Sequence, residues 1–447
     1  MAKYKTYSEY KDSGVEWLGK IPSSWDMWKL SHAYEVIGSG TTPTSNNESW
    51  FQGDIPWVTT GELRETVIYN TSKSVSLSTL QSFSALKIHP AGSIIIAMYG
   101  ATIGRLGIIG VDATTNQACC VMTKSNVIDN KYLYYWLQAF RADIINLSSG
   151  GGQPNINKEK VSSLQISSPP MKNQVLIAYF LDHETTKIDN LIEKQQQLIE
   201  LLKEKRQAVI GHAVTKGLNP DVPTKDSGIE WLDSIPSSWE VKPTYAICSA
   251  STEKNTDGLE NNVLSLSYGN IIKRKTDTNF GLLPDSFNTY QIVKDGDIIL
   301  RLTDLQNDKN SLRVGLVTQS GIITPAYLKL SVKHAITPSF SYYLLHTYDI
   351  FKVFYGMGGG LRQSMKFEDF RRLPLLIPSK IEQESIVTFI DKKIIKIDIL
   401  IEKQLQQIAL LKERRTALIS AAVTGKIDVR SWCAPDEQTA AEAEVAV

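Results

Sequence analysis

"IDNLIEKQQQLIELLKEKRQAVIGHAVT" (residues 188–215) returns as "IDILIEKQLQQIALLKERRTALISAAVT" (residues 397–424), with nineteen of twenty-eight positions identical. Apolar residues fall at Ile188, Leu191, Ile192, Leu198, Ile199, Leu202 and Val209, close to a heptad stripe. Gln195 interrupts that stripe, and Gln404 interrupts the second at the equivalent place. Pro169 and Pro170 precede the first copy, and Gly217 and Pro220 follow it, as helix boundaries require. In the second copy, Ser379 and Glu382 have capping-box spacing. The pattern predicts a helix over about 173–214, repeated near the C-terminus. At ~1.5 Å per residue, each is a rod of roughly 60 Å. Two such rods suggest an intramolecular coiled coil, with Ile188, Leu191, Leu198 and Leu202 in one seam and Ile397, Leu400, Ile408 and Leu411 in the other. The alternative is that each helix packs on its own domain's core.

The duplication reaches well beyond these helices. "KDSGVEWLGKIPSSWDM" (11–27) matches "KDSGIEWLDSIPSSWEV" (225–241) at twelve of seventeen positions. "VTTGEL" (58–63) answers "LSYGNI" (266–271), "GSIIIA" (92–97) answers "GDIILR" (296–301), and "GRLGI" (104–108) answers "LRVGL" (312–316). "YYWL" (134–137) answers "YYLL" (342–345), and "SGGGQPNI" (149–156) answers "MGGGLRQSM" (357–365). Offsets stay between 204 and 214, so these are duplicated domains and not a solenoid. Between 30 and 150, agreement falls to scattered Gly, Arg and aromatic positions. A duplicated protein keeps what both halves do alike and diverges where they differ. The variable parts are rich in β-branched residues between glycines, as in "SIIIAMYG" and "DIILRL", which reads as strands. "NKYLYYWLQAF" and "SFSYYLLHTYDIF" read as short helices.

The totals bound the function. The chain has 447 residues, 42% of them hydrophobic, and a net charge of +1, which suits a soluble protein of two or three domains. A basic face balanced elsewhere remains compatible with that charge. Cys119, Cys120, Cys248 and Cys433 show neither metal-ligand spacing nor a disulfide framework, as expected of a cytoplasmic protein. No apolar run is long enough to span a membrane, and the N-terminus lacks a signal-peptide core. The acidic stretch over 431–447 reads as a frayed tail.

Taken in order and in duplicate, "SGVEWLGKIPSSW", "IPWVTTGEL", "GGGQPNI", "SSPPMKNQVLIAYFLD" and "LLKEKRQAVIGHAVT" resemble the specificity subunit of type I restriction–modification systems. The resemblance covers roughly 10 to 430. It implies an α+β chain with two homologous α/β target recognition domains separated by two long helices, which form an antiparallel coiled coil. The expected boundaries are 1–168 for the first recognition domain, 169–217 for the central helix, 218–377 for the second domain and 378–430 for the C-terminal helix. The resemblance further implies a non-catalytic chain that reads a bipartite, asymmetric site in double-stranded DNA. It implies two methyltransferase subunits and restriction–translocation subunits as partners. S-adenosylmethionine, ATP and Mg²⁺ then belong to those partners, with no cofactor in this chain. Trp17, Trp25, Trp231 and Trp239 become anchors, either in packing or against a partner.

Base reading needs Arg, Lys, Asn or Gln at a groove, and phosphates need positive charge, hydroxyls or backbone amides. The candidates in the first domain are Thr59, Thr60, Glu62, Arg64, Arg105, Asn116, Gln153 and Asn155. In the second they are Ser267, Tyr268, Asn270, Lys273, Arg274, Lys275, Arg301, Arg313, Arg362, Gln363 and Lys366. For any one of them the plain reading is a solvated surface group. Arg105 and Arg313 occupy matched positions, which points to phosphate binding or to bracing of the fold. Unmatched Arg64 and Lys273 are better candidates for base selection. The glycines at 150–152 and 358–360 either cradle phosphate or make flexible loops. There is no Walker A pattern, no adenine-methyltransferase signature and no H-E-x-x-H. Two rival readings are a coiled-coil interaction scaffold without DNA specificity and an enzyme with a site built from scattered residues.

Overall fold

Residues 4–44, 47–148, 155–274, 286–303, 305, 312–357 and 364–433 are described by the computed structural model. The elements used below are β1 (Ile37–Ser39), β2 (Ile55–Val58), β3 (Val67–Ile68), β4 (Ile94–Ala97), β5 (Leu106–Ile109), β6 (Cys119–Met122), α1 (Asn130–Ala139) and α2 (Met171–Lys216). They continue with β7 (Cys248–Ala250), β8 (Leu264–Ser267), β9 (Asn270–Lys273), β10 (Ile298–Leu300), β11 (Val314–Leu316), β12 (Leu328–Val332), α3 (Pro338–Ile350) and α4 (Lys380–Val423).

The chain folds as two units. One combines the residues up to Lys194 with those from Gln406 onward, and the other runs from Gln195 to Leu405. Compactness therefore cuts through both long helices and not at their ends. In the first unit the sheet order is β1-β6-β4-β5-β3, antiparallel apart from the parallel β5–β3 pair. In the second it is β7-β12-β10-β11, antiparallel throughout. Strand residues alternate between two apolar clusters in each unit. Ile94, Ile96 and Leu106 face the larger one, while Ile95, Ala97 and Ile109 face the smaller. Ile298, Leu300 and Val314 face the larger cluster of the second unit, and Ile299 faces the smaller. A sheet covered on both faces needs continuous apolar strands, which is what "SIIIA" and "DIIL" are.

The larger clusters hold the repeated tryptophans. Trp25 and Trp239 are fully buried, so packing is their role. Trp17 lies edge-on to Trp136 and Phe140, and Trp231 lies edge-on to Tyr348. Gly425 (φ +71°) and Gly217 (φ +78°) end the two long helices, as αL caps do. A Cβ on Gly425 would lie 2.3 Å from Pro22, and one on Gly217 would lie 3.4 Å from Trp239. The opening phrase is thus the wall against which a long helix stops, and two such helices require two such phrases.

Within the first unit, the head of α2 (Ile177, Phe180, Leu181) and the tail of α4 (Ile419, Ala422, Val423) join one core, and Asp189 pairs with Arg415 at 2.9 Å. The helices therefore run antiparallel there. Within the second unit, the tail of α2 (Ile210, Val214) and the head of α4 (Ile386, Ile390) share a core, and Arg206 lies 3.4 Å from Asp398. The two ion pairs join equivalent positions of the repeat. Between Ile188 and Arg206 the residues of α2 withdrawn from solvent are Ile188, Ile192, Gln195, Ile199, Leu202 and Arg206, alternately four and three apart. Ile397, Ile401, Gln404, Ile408, Leu411 and Arg415 repeat this on α4. Ile188, Ile397 and Ile408 are buried as expected, and Leu202 and Leu411 are half-buried.

Three seam assignments are corrected. Leu191, Leu198 and Leu400 are 46%, 41% and 44% exposed. Each sits one residue before an isoleucine withdrawn from solvent (Ile192, Ile199 and Ile401), about 100° round the helix from it, so it flanks the seam. Gln195 and Gln404 do lie in the seam.

Candidate nucleic-acid interface

The smaller apolar cluster of each unit is roofed by the segment that follows "VTTGEL" or "LSYGNI", and the same device seats both. A Cβ on Gly107 would lie 2.9 Å from Leu63 and 2.9 Å from Ile68. A Cβ on Gly315, the matched residue, would lie 2.6 Å from Leu266 and 2.8 Å from Ile271. Glycine at the middle of β5 and β11 thus lets an apolar side chain press onto the strand. Leu63 and Ile271 are the matched pair that the repeat predicts.

Beyond that seat the segments diverge. In the first unit the chain makes a loop closed by Glu62. Its carboxylate accepts from the Thr59 amide and hydroxyl at 2.6 Å each, and from the Ser72 amide (3.1 Å) and hydroxyl (2.8 Å). Burial raises the Glu62 pKa, but these four bonds outweigh it and hold the group below the ordinary carboxylate value. Glu62 and Thr59 therefore fix the loop. Glu65 adopts φ +55°. Its carbonyl accepts from the Tyr134 hydroxyl, and its carboxylate pairs with Arg141 at 3.1 Å. Arg64 between them is exposed, and Thr60 is half-exposed. Val67 and Tyr69, 41% and 65% exposed, share an open cleft of about 320 Å³ with Arg64, Glu62 and Asn70. Sequence reasoning missed Val67, Tyr69 and Asn70.

In the second unit the same stretch is the β8–β9 hairpin, with Leu264 opposite Lys273, Ser265 opposite Ile272, Leu266 opposite Ile271 and Ser267 opposite Asn270. Tyr268 and Gly269 form its two-residue turn at φ +45° and +79°, the pattern of a type I′ turn. Leu264, Leu266 and Ile271 face the small cluster. Tyr268 is 77% exposed, Ile272 is 47% exposed, and Asn270 and Lys273 are exposed as well. Ser267 and Arg274 are half-buried. Ile272 was not among the sequence candidates.

Other candidates fall elsewhere. Arg313 is completely buried, and this corrects its assignment to DNA. Its guanidinium donates to the carbonyls of Arg301 (3.1 Å) and Thr303 (2.8 Å) and to the Tyr355 hydroxyl (3.2 Å). Its amide donates to Asp349. It braces the fold, the second of the two roles open to it. Arg105 is half-exposed, and its carbonyl accepts from the Ala97 amide, as the Arg313 carbonyl accepts from Arg301. Arg301 is half-buried. The Asn116 carboxamide accepts from the Ala118 amide and shapes a turn. Asn155 is exposed and bridges Tyr99. Lys366 is exposed, and its amide donates to Asp369. Gln153, Lys275, Arg362, Gln363 and both triple-glycine runs lie outside the described residues.

Among the described residues no cluster of His, Cys, Asp or Glu could hold a metal, and no helix is long and apolar enough to cross a membrane. Burial pushes the Cys120 and Cys248 thiols up to about 12, which leaves them unreactive.

The family model for the type I restriction modification DNA specificity domain matches residues 22–202, which include the first unit's sheet, its roofing loop and the start of α2. The chain is similar to specificity subunits of type I restriction enzymes. The MjaVIII specificity subunit of Methanocaldococcus jannaschii is 24% identical over 431 residues, covering 92% of this chain and 95% of that protein. The MjaIX specificity subunit of the same organism is 27% identical over 265 residues, and the match spans 57% of this chain and 58% of that protein. The fold matches a chain from a structure of a type I restriction–modification system (TM-score 0.63, 16% identity, 91% of this chain and 99% of that one). It also matches the HsdS subunit of Thermoanaerobacter tengcongensis (TM-score 0.52, 14% identity, 91% of this chain and 98% of that one). The fold, with mixed sheets and two long helices, is therefore shared along nearly the whole chain.

Proposed function

We propose that the chain is the non-catalytic DNA-reading subunit of a cytoplasmic restriction–modification complex, recognising a split target whose two halves differ. One observation carries this reading: two units that share four sheet strands in the same order and the same glycine seat present unlike polar edges. In the first, the exposed groups are Arg64, Tyr69 and Asn70 on a braced loop. In the second, they are Tyr268, Asn270 and Lys273 on a hairpin. Equal frames with unlike edges suit two half-sites read side by side. Side-chain amides and guanidinium groups supply the direct readout, and lysines supply phosphate contact.

The reading includes two methyltransferase subunits as partners, with restriction–translocation subunits joining them. S-adenosylmethionine, ATP and Mg²⁺ then act in those subunits. The two ion pairs at matched positions favour the same local register of the helix pair in each unit. Genome-wide adenine methylation, measured in cells expressing this chain with its neighbouring methyltransferase subunit, tests the proposal. A split motif with unlike halves and a constant gap is the expected result. An assembled complex that leaves no motif would refute it and favour a scaffold without DNA specificity.

A further inference from the structure

The hairpin of the second unit carries a strained residue that its fold does not need. Type I′ turns select Asn or Gly, because both central residues need φ above zero. Here the first of them is Tyr268, at φ +45°. A side chain with a Cβ is disfavoured in that region. In the first unit Glu65, also at positive φ, is held by Tyr134 and Arg141. The Tyr268 carbonyl accepts from one N–H of the Asn270 carboxamide at 3.3 Å, while its side chain stands 77% exposed at the tip. Strain kept at an exposed position argues for a role outside folding.

The two faces of the hairpin have opposite characters. Leu264, Leu266 and Ile271 are turned into the small apolar cluster. The pairs Ser265–Ile272 and Ser267–Asn270 form the outer face. That face is polar except for Ile272, which is 47% exposed. A two-stranded ribbon fits the major groove of B-form DNA. The one apolar group on the base edges there is the thymine C5-methyl. An exposed isoleucine and a tyrosine tip beside a carboxamide match a thymine methyl next to the donor–acceptor edge of adenine. Lys273, exposed at the base of the hairpin, supplies charge for the phosphates.

We propose that this hairpin enters the major groove tip first, and that Tyr268 and Ile272 contact thymine methyl groups while Asn270 pairs with adenine. The half-site read by the second unit then contains a T·A pair whose methyl group contributes to binding. This inference rests on the DNA-reading function proposed above and names the chemistry of one of its edges.

The test uses the whole methyltransferase complex, assembled with the full chain. Its motif is first read from the methylated genome. Duplexes carrying that motif are then made with deoxyuridine in place of each thymine of the relevant half, which removes only the methyl group. Wild-type affinity is expected to fall about fourfold at one or two of these positions, the worth of one buried methyl. The Tyr268→Asn/Ile272→Ser complex is expected to bind thymine and deoxyuridine duplexes equally. Tyr268→Asn alone is expected to unfold at the same temperature or higher, because Asn suits the turn.

Wild-type binding indifferent to every deoxyuridine would overturn the inference. A double variant that still discriminates would overturn it too. The deoxyuridine comparison needs no variant, so misfolding of the substituted chains cannot obscure it. A wild-type complex that methylates no motif would sink the DNA-reading function itself. A clear motif with no methyl dependence would sink only the hairpin's role.

Discussion

Leu63 and Ile271 rest on matched glycines, Gly107 and Gly315, in the two units, yet the segments that carry them end in different structures. In the first unit Glu62 gathers four hydrogen bonds and closes a loop, and Tyr134 and Arg141 pin the next turn. In the second, Asn270 stands where Glu62 does, the loop becomes a hairpin, and the tip's Tyr268 carbonyl accepts from the Asn270 carboxamide at 3.3 Å. The comparison teaches that a duplicated frame keeps the contact nearest the sheet and varies what lies one layer out. A change at the seat moves the whole edge, whereas a change beyond it alters only the chemistry presented.

The largest effect is expected where the frame is shared. Trp25→Ala or Trp239→Ala should each cost about 3–5 kcal/mol, the usual loss for a buried aromatic. Hydrogen exchange should then quicken in the strands of the same unit, β4 and β5 for Trp25, β10 and β11 for Trp239. A tryptophan whose loss left exchange unchanged would break the equivalence of the two cores.

Next comes a difference between the units. His346 stands where the first unit has Gln138. Burial, with the nearby Arg206 charge, pushes its pKa down to about 4. The native state therefore resists a proton that the unfolded chain accepts near pH 6.5. Stability is complete above that pH and falls as pH drops toward 4, by about 3 kcal/mol in all. His346→Gln should flatten this part of the curve in denaturant titrations at pH 4 and pH 7. An unchanged slope would show that other groups govern the acid response.

Overpacking the seat sharpens the comparison directly. Gly107→Ala and Gly315→Ala should each cost about 1–3 kcal/mol, because the new methyl meets side chains already in contact. The expected readout is loss of one half of the methylated motif per variant, a different half each time. Loss of both halves from one variant would refute the assignment of one edge to each half-site.

Glu62→Gln should cost about 1 kcal/mol, by replacing charge-assisted bonds with neutral ones. Because the folded pKa of Glu62 lies below its unfolded value, its contribution is present above the ordinary carboxylate range and is lost as pH falls through the folded value. The variant should lack that loss when melting is followed down to low pH. The smallest effects belong to the ion pairs. Asp189→Asn and Asp398→Asn should each cost less than about 1 kcal/mol, as exposed pairs do. The two should match, since the pairs occupy equivalent positions.

Much of the fold was legible. The repeat located both cores, both long helices and the matched pair Leu63 and Ile271. The continuous apolar runs "SIIIA" and "DIIL" marked strands covered on both faces. Burial was harder to read. Leu191, Leu198 and Leu400 look as suitable for a seam as the isoleucines beside them, since one helical step separates a seam position from a flank. For the interface, polar residue types on divergent loops gave Arg64, Tyr268, Asn270 and Lys273 but not Tyr69 or Ile272. Apolar residues on a strand give no local sign that they face solvent.

The sequence by itself determined that the protein is two copies of one domain plan joined by two long helices, and which segments are free to differ. Those properties are written in identity and spacing along the chain. The tertiary structure decided which face of each helix is the seam, that Glu62 is spent on its own loop, and that Arg313 is a brace. Each depends on atoms distant in sequence or on small differences in angle: the carbonyls of Arg301 and Thr303 around Arg313, the amide of Ser72 reaching Glu62, a turn of about 100° between neighbouring helical residues. A side chain's partners are set by where the whole chain places them, and the local pattern carries no record of that.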